Sequence, residues 1–277
     1  MIIGIDIGAT TTRAVALEGS EIIGMETVRT TDTQASAHSV LDKILQNIGR
    51  DSKDVEQIAI SGGGARRIGE TILNLPVARV DEIRAIGLGG LALSGKQKAL
   101  IVSMGTGTAL VVAFEGGKVI RHIGGTGVGG GTVEGLSRRM LGTDRFEVLE
   151  EMAEKGNASK VDLTVADIAG GPVGIVPAEA TASNFGKLRT DASKDDVAAA
   201  IFNMVSQVIG VVTAMAAKGY NLEEDVVLVG KLIQSKKIAE VIRQVAELFQ
   251  MKLCIPGNGE YCVAIGAAKA ICQSMKT

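Results

Sequence analysis

Residues 5–23 read IDIGATTTRAVALEGSEII, and residues 102–120 read VSMGTGTALVVAFEGGKVI. Laid over one another without a gap, 97 residues apart, they share Gly8/Gly105, Thr11/Thr108, Val15/Val112, Ala16/Ala113, Glu18/Glu115, Gly19/Gly116 and Ile23/Ile120. Seven identities in nineteen positions, with both turn glycines in register, mark an internal repeat. Short apolar runs between glycine turns are the pattern of strands in a meander. The first copy therefore predicts strands at 2–6, 14–17 and 21–28, with turns at 8–11 and 18–20.

Downstream, the first half predicts a helix at 35–48, a strand at 57–61, a glycine-rich turn, a helix at 66–73, a strand at 78–80 and a helix at 82–93. The second half predicts helices and short strands at 132–140, 195–218, 226–229, 238–248, 252–255 and 260–275. The whole reads as a duplicated α/β chain, with a first lobe over 1–95 and a second lobe with a helical insertion over 96–277. A cleft between the lobes is expected where the two glycine turns converge.

Composition narrows the ligands. Of 277 residues 36 are glycine, about twice the usual share of roughly 7%. Trp is absent and aromatic residues make up only 3%, so backbone rather than ring stacking is expected to grip a ligand. The 29 basic and 31 acidic side chains nearly cancel, which removes the electrostatic footprint of a protein that works on nucleic acid or anionic lipid. Cys254, Cys262 and Cys272 lack metal-binding spacing and read as reduced core thiols. The opening MIIGIDIGATTT shows no export leader, which points to the cytoplasm. The apolar stretch 201–218 is interrupted by Asn203, Ser206, Gln207 and Gly210, so it reads as a buried or interface helix rather than a membrane span.

Three segments carry candidate chemistry. Asp6, Ile7, Gly8, Ala9, Thr10, Thr11, Thr12 and Arg13 combine a strand-end carboxylate, a glycine turn, three hydroxyls and a cation. Such a turn exposes amides that form an anion nest, Asp6 is placed to hold Mg²⁺, and Arg13 to neutralise phosphate charge. The repeat places Ser103 opposite Asp6, so only the first lobe offers the metal carboxylate. The run from Gly124 to Glu134 stands before a helix, whose dipole and amides would favour a phosphate over Gly130 and Gly131. It matches neither a Rossmann fingerprint nor a Walker loop. A polyphosphate, foremost ATP, is the expected ligand. Asp81 and Glu82 leave a strand to begin a helix. They fit a helix cap and a first-turn charge as well as an alcohol-activating base, and the residues alone leave both open.

The chain resembles the type II pantothenate kinases, within the group that includes acetate kinase, sugar kinases, the heat-shock ATPases and actin. The resemblance runs through GIDIGATTTR, ISGGGA, RVDEI, MGTGT, IGGTGVGGGTVEGL, VDLTVADI, TASNFGKL, VVLVGKL and NGEYCVAIGAA, in that order. It implies a duplicated ribonuclease-H-like fold, with ATP and Mg²⁺ between the lobes and a homodimer built on the 201–218 helix. It implies Glu82 as the base that activates the pantothenate hydroxyl. Residues 6–13, Thr106, Gly130, Gly131, Thr132, Val133 and Glu134 would contact ATP. Phe146 and Lys231 would sit near the nucleotide, where the family has other residue types, and Arg13 stands where Lys is usual. In the acceptor site Ala109 replaces the usual Ser and His122 the usual Arg, with Arg121 next door as a substitute. Another hydroxylated metabolite, or a nucleotide-dependent regulator of a protein partner, are the alternative readings.

Overall fold

Gly8 and Gly19 turn the chain where the repeat expects. β1 (Ile2–Ile7), β2 (Thr11–Glu18) and β3 (Glu21–Arg29) form an antiparallel meander in the computed structural model, which describes residues 1–188 and 190–274. Helix α1 (Thr33–Ile48) starts at Asp32, whose side chain accepts the Ala35 N–H, and stops at Gly49, which is left-handed at φ 65. β4 (Gln57–Ser61) returns parallel to β1.

The helix predicted at 66–73 does not form. A single 3-10 turn at Ala65–Arg67 gives way to a hairpin of β5 (Thr71–Ile72) and β6 (Leu75–Arg79), closed by Leu73 and Asn74 at φ 51 and 62. Gly69 weakens a helix here, and two left-handed residues in succession are the geometry of a tight hairpin turn. Helix α2 (Glu82–Ser94) closes the half, and the sheet order is β3-β2-β1-β4-β6-β5.

The second half repeats the meander with β7 (Ala99–Met104), β8 (Thr108–Phe114) and β9 (Val119–Thr126), followed by α3 (Gly130–Met140) and α4 (Phe146–Lys155). An excursion carries β10 (Leu163–Thr164), α5 (Val165–Ala169) and β11 (Thr181–Ser183). Then come α6 (Lys194–Tyr220), β12 (Val226–Val229), α7 (Lys236–Leu248), β13 (Leu253–Cys254) and α8 (Cys262–Ser274). Met275, the expected end of the last helix, lies outside the described residues. The second sheet runs β13-β12-β7-β8-β9.

The layers follow from which face of each strand is apolar. Ile3, Ile5, Ile7, Ala14 and Ala16 bury one face of the first sheet against Val40, Leu41 and Ile44 of α1. Leu100, Val102, Met104, Leu110 and Val112 bury one face of the second against Ile201, Phe202 and Val205 of α6 and Ile238 and Ile242 of α7. The two inner faces meet α2 and α8, which lie between the sheets. Glycine lets these helices approach to backbone contact: a Cβ on Gly89 or Gly266 would strike the Cys262 or Ala85 carbonyl, and one on Gly4 the Ala264 carbonyl. Helix α6 is the one described helix long and apolar enough to cross a membrane, yet its central residues are buried in the core of the second lobe.

The ungapped repeat slips after the turn. Ile7 pairs with Thr12 across residues 8–11, whereas Met104 pairs with Thr108 across the shorter loop 105–107. A one-residue offset reverses every side chain's face. Val15 accordingly packs against α8, while Val112, its identical match in sequence, packs against α6; the residue in the Val15 position is Val111. In space Asp6 corresponds to Ser103, as expected, and Arg13 to Ala109.

Candidate active site

The carboxyl ends of parallel strands in an open α/β sheet are where ligands bind, and β1, β4 and β6 end together. Arg13, Asp6 and Ser61 are in-register partners across β2, β1 and β4, so all three side chains leave the inner face in one row. Asp6 is 9% exposed, and among the described residues its carboxylate has no hydrogen-bond or ion-pair partner. Burial pushes its pKa up to about 7; the Arg13 charge pulls it down, and the Glu82 charge adds to the rise. Arg13 is also buried, and its guanidinium donates to nothing described. Ser61 is fully buried with an unpartnered hydroxyl, a state that costs about 1–3 kcal/mol. Gly62 follows at φ 89, and a Cβ there would meet Asp6 Oδ1 and the Ile7 backbone.

The structure gives the helix cap to Asp81 alone. Asp81 caps α2, its Oδ1 accepting the Arg84 N–H at 3.0 Å. Glu82, the first helical residue, has no described hydrogen-bond partner; partial burial, then the charge of Asp81, raises its pKa. A carboxylate shifted in that direction is a stronger base than an ordinary Glu.

The second-lobe loops arrange differently from expectation. The Gly130 and Gly131 amides, expected to face a phosphate, donate to the Gly105 and Thr106 carbonyls at 2.9 and 3.0 Å. Thr132 and Val133 N–H groups donate to the Gly129 carbonyl, and the Gly129 N–H to Thr132 Oγ1 at 3.1 Å. The helix start therefore ties down the hairpin loop instead of offering free donors. In the two hairpin loops the amides with no described acceptor are those of Thr106 and Gly107, matched in the first lobe by Ala9 and Thr10; Gly8 N–H is taken by the Thr11 carbonyl at 3.1 Å. Glu134 lies one turn into α3, half-buried. Gly230 follows β12 at φ 99 against the Met104 backbone, and buried Leu232 reaches Gly130, with exposed Lys231 between them in sequence. Phe146 opens α4 and packs on Phe202, with ring centroids 5.6 Å apart, so its ring belongs to the core of the second lobe.

Arg121 does not stand in for His122. The two are neighbours on β9, whose side chains alternate in face. His122 partners Val111 of the inner cluster, whereas Arg121 partners Val112 of the outer one and lines a groove with Lys98, Phe114 and Tyr220. Ala109 packs on the inner side, the face on which the pairing with Val111 also puts exposed His122. The sequence reading missed Ser61: only the strand pairing reveals that it stands beside Asp6.

Among the described residues no group of three or more His, Cys, Asp or Glu gathers to cage a metal. The orphaned Asp6 carboxylate suits Mg²⁺, which takes one or two carboxylates and completes its shell with water and substrate phosphates. Cys262, beside it, is a buried thiol whose pKa is raised by burial and by the Asp6 charge.

A type II pantothenate kinase from Bacillus cereus strain G9842 is 26% identical over 274 residues, covering 96% of this chain and 96% of that one. Component A of the (R)-2-hydroxyglutaryl-CoA dehydratase of Acidaminococcus fermentans has the same fold at TM-score 0.71 and 16% identity, over 100% of this chain and 99% of that one. A ROK family glucokinase from Streptomyces griseus, solved with glucose and AMPPNP, follows at TM-score 0.58 and 14% identity, over 97% and 98%. The structural likenesses bear out the two-lobed α/β fold. The Fumble family model matches residues 97–268, the greater part of the chain, and the chain belongs to the Fumble family.

Proposed function

We propose that this chain is an ATP-dependent kinase that phosphorylates the primary hydroxyl of pantothenate to give 4'-phosphopantothenate. The observation that carries the reading is the orphaned Asp6 carboxylate, unpaired and buried beside Arg13 and within electrostatic reach of Glu82. An unused carboxylate, a guanidinium with no acceptor and a proton acceptor are the parts a phosphoryl transfer needs. Curated relatives bearing the pantothenate kinase name span nearly the whole chain and supply the acceptor.

In this reading Glu82 takes the hydroxyl proton as the alcohol oxygen bonds to the γ-phosphorus of ATP and the bond to the ADP oxygen breaks. The free amides of Ala9, Thr10, Thr106 and Gly107 hold phosphate oxygens, with Thr11 and Thr12 shaping the first loop and Arg13 countering charge. Residues 130–134 brace the second loop, and Lys231 flanks the nucleotide. Asp6 would hold Mg²⁺, which when bound neutralises charge on the phosphates. Ala109 and His122 line the acceptor side. Closure of the lobes excludes water from competing with the alcohol.

The same proposal places the reaction in the cytoplasm, divides the chain at 95/96 with α8 packed back on the first sheet, and pairs two copies through the 201–218 stretch of α6, where Val211 and Met215 are exposed. The test is ADP release with pantothenate and a panel of small alcohols, repeated with Glu82→Gln. Pantothenate-dependent release that the variant loses is the expected result. Release with another alcohol alone would assign the acceptor to a different hydroxylated metabolite, the reading that His122 in place of Arg favours. Stimulation by no small alcohol, with nucleotide still bound, would point to a regulator.

A further inference from the structure

Buried hydroxyls in folded proteins are nearly always bonded, because a free one is costly. Ser61 breaks that rule at 0% exposure. Ser137 and Thr213 are also unpartnered, but both lie in helices, where a hydroxyl can turn back to a carbonyl of the preceding turn. Ser61 ends a strand and has no such outlet.

Its neighbour is what distinguishes it. Ser61 and Asp6 are parallel-ladder partners, so their Cβ atoms leave the same face about 4.8 Å apart, and rotation about one bond brings the hydroxyl within reach of the carboxylate. On the other flank stands Arg13, and Gly62 keeps Asp6 Oδ1 close to backbone. Asp6 thus sits between a cation on one strand and an unused donor on the next.

We propose that Ser61 is a positioning residue, whose hydroxyl donates to the Asp6 carboxylate when a divalent cation is held there and so fixes the carboxylate's orientation. Carboxylates that bind metals are commonly held in this way by outer hydrogen bonds. The inference rests on the reading of Asp6 as the cation-holding residue, not on the identity of the acceptor.

The experiment measures ADP affinity by calorimetry across a Mg²⁺ series, for the wild type and for Ser61→Ala, together with the melting temperature of each free protein. Ser61→Ala should melt at the wild-type temperature or above, since no bond is lost in the free state. Its ADP affinity without Mg²⁺ should be unchanged, while the Mg²⁺ midpoint rises about tenfold. An unchanged midpoint alongside a wild type that responds to Mg²⁺ overturns the role of Ser61 alone. A lower melting temperature of the free variant overturns it too, because the hydroxyl would then be bonded already. A wild type whose ADP affinity ignores Mg²⁺ removes the cation role of Asp6, and this proposal with it. Failure to phosphorylate pantothenate leaves these binding outcomes readable and sinks only the acceptor assignment.

Discussion

The hairpin β1–β2 carries Asp6 opposite Arg13, while its counterpart β7–β8 carries Ser103 opposite Ala109. Both hairpins end in loops with two unengaged amides, Ala9 and Thr10 in one, Thr106 and Gly107 in the other. Duplication therefore preserved the backbone donors and left the charge on one side. A triphosphate with one metal ion needs many amides but a single anchoring carboxylate, and a second buried carboxylate would add repulsion without a partner.

That asymmetry breaks first if Asp6 proves dispensable. Asp6→Asn should lower kcat by roughly 10³-fold, the scale of losing a main transition-state electrostatic contact, whereas Ser103→Asp placed in the Asp6→Asn background should restore nothing. Steady-state ADP release under saturating Mg²⁺ and ATP measures both. A double variant with recovered activity would make the two hairpins interchangeable.

Glu82 comes next. Glu82→Gln should reduce kcat by about 10²- to 10⁴-fold, the usual worth of a general base. The pH profile adds a sharper readout. Its pKa is raised in the folded protein, so the active carboxylate form is lost as pH falls through a value above that of an ordinary Glu. At saturating Mg²⁺, which would keep Asp6 ionised, the wild-type rate should fall on the acid side at that higher pH, and the limb should vanish in the residual activity of the variant. A limb that survives the substitution would assign it to another group.

The loops were legible in sequence to the extent that local chemistry decided them. Glycine turns, strand alternation and helix caps located the meanders and most helices, because each is fixed by a few neighbouring residues. Pairing was not local. The ungapped match of Val15 to Val112 was a coincidence of letters, undone when one loop proved a residue shorter than the other. The same blindness hid Ser61, whose meaning depends on β4 lying beside β1, and it made the Gly130 and Gly131 amides look free when loop 105–107 had claimed them. The 66–73 segment failed differently: its local pattern suits a helix weakly, and β6 recruited it into a hairpin.

The second hairpin should be sensitive to backbone and indifferent to side chain. A Cβ on Gly129 would strike the Thr106 carbonyl and the Gly107 backbone, so Gly129→Ala should raise KM for ATP about tenfold, the equivalent of about 1.4 kcal/mol, with kcat less affected. Thr106→Ala, which leaves every loop amide in place, should change KM by less than about twofold. A larger effect of the Thr106 variant would show that its hydroxyl, not its amide, touches the nucleotide.

The smallest effects concern β9, where one strand presents Arg121 and His122 to opposite faces. Arg121 shares its groove with Lys98, Phe114 and Tyr220 on the outer side, and exposed His122 stands on the opposite face of the sheet, the face of Ala109. Arg121→Ala should therefore leave KM for the acceptor within about twofold. His122→Arg should lower that KM by about three- to tenfold if the acceptor carries a carboxylate, because a guanidinium binds carboxylate through two parallel hydrogen bonds, a fork that an imidazole lacks. Steady-state KM for pantothenate separates the cases. A rise in KM with Arg121→Ala would mean that β9 twists in the complex enough to bring its outer face inward, since strand alternation alone keeps that guanidinium out of the cleft.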